Sequence, residues 1–517
     1  MGRLYDHYTN PILYADYSDP DVIRVGSDYW MVASSFSHVP GLPLLHSQDL
    51  VHWTLVRYLI TELPSPKFDR PKHGHGIWAP SIRHHDGRYY VYFGMPDEGI
   101  YMMSSEDPLA EWTEPHLVEA GAGFIDPCPF WDQDGRAYLV HAFAKSRAGR
   151  KSLLRLCEMS PTGQRILPNR RIVFDGRMTQ PTIEGPKVYK RNGYYYILAP
   201  AGGVKHGWQT ALRARSIVGP YEEKIVLYQG STEVNGPHQG GLVDDVDGNW
   251  WFIHFQDVGV AGRILHLQPV HWIDDWPVIG MDDGERIGQP VLRWTRPVGS
   301  GDRSSTYTRY AIEASDDFVS EQLGLQWQWP ANPKENYYTL TEGVLHLHAQ
   351  PARERLSEQA NLLLQKLTSL SEQVSVTVDL SELALDGLVG LTAFANLYSA
   401  VEVRRDEAGY CIHLRTGAWE GGPDRRQPEG GLRLDLDPQE PLIWLQLQVE
   451  APCQHRFQSQ VQVHFAYCTS ENGTWTTLGS APLTAGQWIG AKHGLYSLGS
   501  SGTARILAYE VKEGLDP

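Results

Sequence analysis

The chain has 517 residues, a formal charge of −16, 41% hydrophobic and 21% charged residues, enough for two or three globular domains with sizeable cores. No basic stripe offers a face to nucleic acid, and no apolar run is long enough to cross a membrane. Five scattered cysteines without CxxC spacing (Cys128, Cys157, Cys411, Cys453, Cys468) disfavour a disulfide framework or structural zinc.

The opening segment, MGRLYDHYTNPILYADYSDPDVI, lacks the apolar core of a secretory signal; with the cysteine usage it predicts a cytoplasmic protein. Along the next 290 or so residues, turn formers and aromatics are dense and long helical patterns are absent. The chain carries 50 Gly, 34 Pro, 17 Trp, 26 Tyr and 13 Phe, a composition that favours short strands and an all-β fold. Five segments repeat one design: GSDYWMVA from Gly26, DGRYYVYF from Asp86, DGRAYLVH from Asp134, NGYYYILA from Asn192 and DGNWWFIH from Asp247. Each is a Gly-containing turn followed by an apolar, aromatic-rich strand, a hairpin signature. Aligned at Tyr29, Tyr89, Ala137, Tyr195 and Trp250, they are spaced by 60, 48, 58 and 55 residues. A period of roughly 40–60 residues in strand-rich sequence reads as propeller blades, so residues 1–297 are expected to form a five-bladed β-propeller.

The repeat also aligns chemistry. At offsets of 10, 11, 11, 11 and 12 residues before those positions stand Asp19, Trp78, Asp126, Glu184 and His238, each close to a proline. If each hairpin's first strand is the innermost of its blade, these five residues face one central cavity. A core built only for stability would not gather three carboxylates, because like charges in a poorly solvated place repel. Three acids beside an aromatic wall, without a cofactor motif, suggest hydrolysis of a glycosidic bond. One carboxylic acid protonates the leaving oxygen while a carboxylate activates water or attacks the sugar.

The stretches NPILYADYSDPDVIRVGSDYW, PGLPLLHSQDLVHW, GIWAPSIRHHDGRYY, FIDPCPFWDQDG, IEGPKVYKRNGYYY and NGPHQGGLVDD together resemble glycoside hydrolase family 43 over residues 10 to about 295. The resemblance implies an inverting enzyme on a five-bladed propeller. It makes Asp19 the general base, Asp126 the residue that tunes and orients the acid, and Glu184 the general acid. It also implies that Arg263 reaches the sugar hydroxyls, that Phe36 and Trp78 wall the sugar, and that His38 stands at the pocket rim where relatives often carry Trp. For His238 two readings stay open: a hydrated structural calcium on the propeller axis, held through water, or a histidine hydrogen-bonded near the acids. The chemistry itself requires no cofactor. Asp21 lies in the same motif but points to the opposite face of its strand.

Two further motifs carry less. His73-Gly-His75-Gly, in a Pro-rich loop, is read as part of the pocket mouth rather than a zinc site, and the Glu471–Thr474 glycosylation pattern has no role in the cytoplasm. Near Arg296 the repeat ends in RPVGSGDRSST, which predicts a linker over 298–315. Residues 316–517 again read as alternating strands and fit a β-sandwich, and DDFVSEQLGLQWQWPANP resembles the start of the concanavalin-like domain of family 43 β-xylosidases. The stretch AGQWIGAKHGLYS, with Trp488, is the expected loop that narrows the pocket mouth. The sandwich otherwise stabilises the propeller or mediates a homo-oligomer. The overall expectation is an exo-acting inverting β-1,4-xylosidase on small xylo-oligosaccharides, with an α-L-arabinofuranosidase, alone or as a second activity, as the alternative.

Overall fold

Asp-Gly and Asn-Gly turns set the strands. At Asp86-Gly87 both central residues have positive φ (46° and 73°), as they do at Asn192-Gly193 (50° and 73°), the geometry whose twist matches that of a tight hairpin. The computed structural model describes residues 7–297, 314–450 and 460–513. Cys453 and all but the last two residues of the expected linker lie outside them.

Five sheets follow one another, each built on four antiparallel strands in chain order. The first holds Asp21–Val25, Asp28–Val32, Gly41–Ser47 and Thr54–Ile60; the second Trp78–His85, Arg88–Met95, Gly99–Ser105 and His116–Ala120. The third holds Phe124–Trp131, Ala137–Phe143, Leu153–Met159 and Ile166–Asp175. The fourth holds Lys187–Arg191, Tyr194–Ala201, Trp208–Ala214 and Glu222–Leu227, and gains two short strands, Gly288–Gln289 and Met281–Asp282. The fifth holds His238–Asp244, Trp250–Asp257, Arg263–Ile273 and Trp276–Ile279.

The middle strands are apolar on both faces because each sheet buries both. Val91 and Phe93 pack with Val32 and Leu44 of the first sheet, while Tyr92, between them in sequence, packs with Leu139 of the third. Val140 meets Ile197 of the fourth sheet, Leu198 meets Phe252 of the fifth, and Ile253 returns to Tyr29 and Met31 of the first. The five interlayer cores therefore run from sheet to sheet and back to the start. His7–Thr9 pairs with Arg293–Thr295, and the Asn10 side chain donates to the carbonyls of Leu267 and Val291 at 2.8 Å each, so the two ends of this part are clasped together.

The second part is a β-sandwich. A seven-stranded sheet, including Ser371–Asp379, Leu442–Glu450 and Thr503–Glu513, faces a six-stranded sheet that includes Leu363–Lys366, Lys492–Leu498 and Leu388–Phe394. Alternation decides which side is buried: Val374, Val376 and Val378 point into the core with Ile443, Leu445 and Leu447. The same apolar cluster takes in Ile264 of the fifth sheet and Val258, Val260 and Ala261 of the turn that leads into its strand, so the two parts share a core. Backbone bonds join them as well: Val39 and Trp329 exchange both of theirs, at 2.8 and 2.6 Å, and the Ala491 N–H donates to the Val260 carbonyl at 2.8 Å.

Candidate active site

Trp78, Asp126 and His238 lie at the leading ends of their sheets' first strands, where the ladders are irregular, while Asp19 and Glu184 stand just ahead of theirs. Register shifts interrupt the strand pairs between Trp78 and Ser81, between Ile125 and Cys128, and between His238 and Gly240. A bulge at the end of a strand turns a side chain out of the ladder and towards a shared opening. Asp19 (φ 56°) and Asp126 (φ 57°), each followed by proline, sit in the left-handed region, as do Phe36 (φ 52°) and Trp488 (φ 68°). Strained backbone of this kind gathers where side-chain aim matters more than local stability.

Both oxygens of the buried Asp19 carboxylate are engaged: the Ser34 hydroxyl donates to Oδ2 at 2.6 Å and Arg263 Nη1 to Oδ1 at 3.0 Å. Arg263 is buried too, with its guanidinium 4.5 Å from the Phe255 ring centre and 5.9 Å from that of Trp488. Arg263 thus reaches the first of the acids directly. Asp126 accepts the Gly185 N–H at 2.8 Å through Oδ2, which fixes the backbone next to Glu184. Burial, then the charges of Glu184 and Asp19, push the Asp126 carboxyl well above the usual carboxylate range, against the Gly185 N–H and Lys187. Glu184, with its side chain 34% exposed, faces His238 Nε2 at 3.4 Å through Oε1. Asp126 thus feels the charges of both other acids; Asp19 and Asp126 are buried and Glu184 is half-buried.

The aromatic wall is also assembled. Trp78 donates its indole N–H to the Gly74 carbonyl at 3.1 Å and meets Phe36 edge-on at 6.4 Å between ring centres. On its other side Trp488, brought by the sandwich, stands 6.5 Å away. A cavity of about 260 Å³ lies between Arg263, Asp257 and Gly262 on one side and Gln487, Trp488 and Ile489 on the other. It opens on the Arg263 side of the acids; Asp126 and Glu184 lie outside its lining.

Other expectations come out differently. His38 is buried rather than at a rim, because its loop is pinned by the Val39–Trp329 pair under the sandwich. Burial, then the charges of Lys492, His73 and Lys366, hold its ring well below the ordinary imidazole value. His73 stacks on Trp419 of the sandwich at 3.9 Å, and His75 pairs with Asp97 at 2.6 Å, so the two histidines diverge and serve the junction and the loop. Asp21 accepts from the Ile82 N–H and Arg83, linking the first two sheets. Among the described residues no group of three or more His, Cys, Asp or Glu is gathered to hold a metal. His238 Nδ1 has no hydrogen-bond partner there; a single imidazole gives calcium no oxygen, so the expected hydrated ion would take its oxygen ligands from water. Ser34, Gly185 and Asp16 were missed from sequence. Ser and Gly carry no pattern of their own, and Asp16 acts on residues far along the chain.

Comparison with known proteins places the chain by family and fold. Residues 8–277 match the family model for glycosyl hydrolases family 43, and residues 315–509 match that for the beta xylosidase C-terminal concanavalin A-like domain. A putative beta-xylosidase of Xylanibacter ruminicola is 44% identical over 403 residues, covering 77% of this chain and 73% of that one. A non-reducing end alpha-L-arabinofuranosidase of Bacteroides ovatus is 31% identical over 355 residues, 65% of this chain and 63% of that protein. The crystal structure of xylan beta-1,4-xylosidase from Bacillus halodurans superposes with a TM-score of 0.83 at 23% identity, covering 98% of this chain and 100% of that one, a likeness of fold. The chain belongs to glycosyl hydrolases family 43.

Proposed function

We propose that the chain is an exo-acting, inverting β-1,4-xylosidase that releases xylose from the non-reducing ends of short xylo-oligosaccharides. The observations that carry this reading are the buried Asp126 carboxyl, which accepts the Gly185 N–H beside Glu184 and is raised by the charges of both Glu184 and Asp19, and the contact of the Trp78 ring with both Phe36 and Trp488. We take the five sheets as the five blades of a propeller, a reading supported by the apolar clusters that link each sheet to the next and the fifth to the first.

In this mechanism Glu184, the exposed acid, protonates the leaving oxygen. Asp19, held by Ser34 and Arg263, takes a proton from the attacking water on the opposite face of the sugar. Asp126 orients the acid through the Gly185 N–H, and its charge responds to both partners. His238 hydrogen-bonds near Glu184, and no step passes through a metal. The Trp488 loop, which stands against Trp78 and beside Arg263, supports an exo mode by narrowing the approach to the acids. The Bacteroides ovatus relative supports a second reading, release of arabinofuranose from arabino-oligosaccharides or arabinoxylan side chains, because the two pentoses present similar hydroxyl patterns.

Assays on 4-nitrophenyl β-D-xylopyranoside and α-L-arabinofuranoside test both. The xyloside is expected to have the higher kcat/KM, and Glu184→Gln to lower kcat by about three orders of magnitude or more on either. Faster arabinose release reverses the order of the readings, and a Glu184→Gln variant as active as the parent removes the hydrolase assignment of this residue.

A further inference from the structure

Asp16 lies outside the three acids, yet it is buried where the two parts of the chain meet (7% exposed). Its Oδ1 accepts the Arg263 backbone N–H at 2.9 Å and its Oδ2 accepts the Gly490 N–H at 3.0 Å. Arg263 opens the strand whose guanidinium holds Asp19; Gly490 follows Trp488 and Ile489 in the sandwich loop that lines the cavity. Two residues on, the Ser18 hydroxyl donates to the Trp488 carbonyl at 3.2 Å. One short segment, residues 16–19, therefore holds the Arg263 strand, the Trp488 loop and the first acid together.

The fit leaves no slack. Gly262 has φ +77°, and a Cβ there would stand 2.6 Å from both Asp16 Cγ and the Gly490 nitrogen. A Cβ on Gly490 would stand 2.8 Å from the Gly262 nitrogen and 2.9 Å from the Ala261 carbonyl oxygen. Both glycines are required because the carboxylate is clamped between two backbones. Charge points the same way: Lys366 and Lys492 face each other across neighbouring strands of the sandwich, and the Asp16 charge acts on both. Cross-strand lysines repel, and a carboxylate aimed at the pair offsets that.

We infer that Asp16 is a positioning residue that locks the Trp488 loop of the sandwich to the Arg263–Asp19 pair, so that the mouth of the sugar cavity and the first acid are set by one carboxylate. The inference rests on the reading of Asp19 and Arg263 as the working end of the site. A carboxylate is needed because each oxygen accepts one backbone N–H. In Asp16→Asn one of those donors meets an amide NH₂ instead.

The test uses the full chain with Asp16→Asn, and Ser18→Ala as the milder variant. Asp16→Asn is expected to raise KM for 4-nitrophenyl β-D-xylopyranoside on the order of tenfold, and Ser18→Ala about two- to threefold. In a Trp488→Ala background the penalty of Asp16→Asn is expected to shrink at least threefold, because the loop it anchors has lost its wall. Hydrogen exchange at the Gly486–Ala491 amides is expected to quicken on the order of tenfold in Asp16→Asn. An unchanged KM, an equal penalty in both backgrounds, or unchanged exchange with only a lower Tm overturns the inference. Exchange is read whether or not the chain cleaves a pentoside, so failure of the xylosidase reading and failure of the lock are told apart.

Discussion

Asp126 carries the strongest electrostatic tension at the site. It is buried, feels the charges of two other acids, and is held at a left-handed backbone position that costs ~1–3 kcal/mol. Its raised proton affinity has a consequence for stability. Between the ordinary carboxylate value and the raised one, the folded chain binds more protons than the unfolded chain, so stability falls as pH rises through that window. Asp126→Asn has no such group to titrate. Its Tm relative to the parent is expected to be lowest near pH ~4 and to climb towards neutral pH, while kcat drops about a hundredfold or more. Thermal scans of both proteins across that range check this; a Tm difference that stays flat or falls with pH contradicts it. The three acids were legible in sequence because one repeat set them at a shared offset. Asp16 was not, since its partners Arg263 and Gly490 stand 247 and 474 residues away and only the closed fold brings them near. His38 misled for a related reason: a position in a motif does not tell which side the later sandwich will cover.

At the scale of elements, hairpins and their turns were readable because Asp-Gly and Asn-Gly enforce positive φ locally. The register shifts at Trp78, Asp126 and His238 were not, because a bulge depends on the partner strand as much as on its own residues. The same holds for strand pairing in the sandwich. The stretch AGQWIGAKHGLYS, expected as a loop, becomes a strand from Lys492 to Leu498, and nothing in it announces that Lys366 lies opposite. Burial pushes Lys492 down to about 8, with the Asp16 charge opposing. Because the folded state then binds fewer protons than the unfolded state up to the ordinary lysine value near ~10.4, the cost of burying this amine is full below pH 8 and is relieved as pH rises. Lys492→Met is therefore expected to gain most in Tm, relative to the parent, near pH 6–7, with the difference falling towards pH ~10. Calorimetry at these pH values checks it, and a difference that grows with pH contradicts it.

For the whole molecule, the two parts act as one body around the site. The sandwich core takes in Val258, Val260, Ala261 and Ile264, and its loop sets Trp488 6.5 Å from Trp78. The loop was readable as a candidate only through the resemblance to family 43 β-xylosidases, whose sandwich domain narrows the mouth with one of its loops. Its partners across the junction had no local signal at all. The account's central claim is that Asp19, Asp126 and Glu184 form one inverting pentosidase site. Proton NMR of the first xylose released from 4-nitrophenyl β-D-xylopyranoside, whose leaving group is not a sugar, tests that claim most directly. The account predicts α-xylose first, with the β anomer appearing only by mutarotation; β-xylose as the first product, or no xylose, contradicts it.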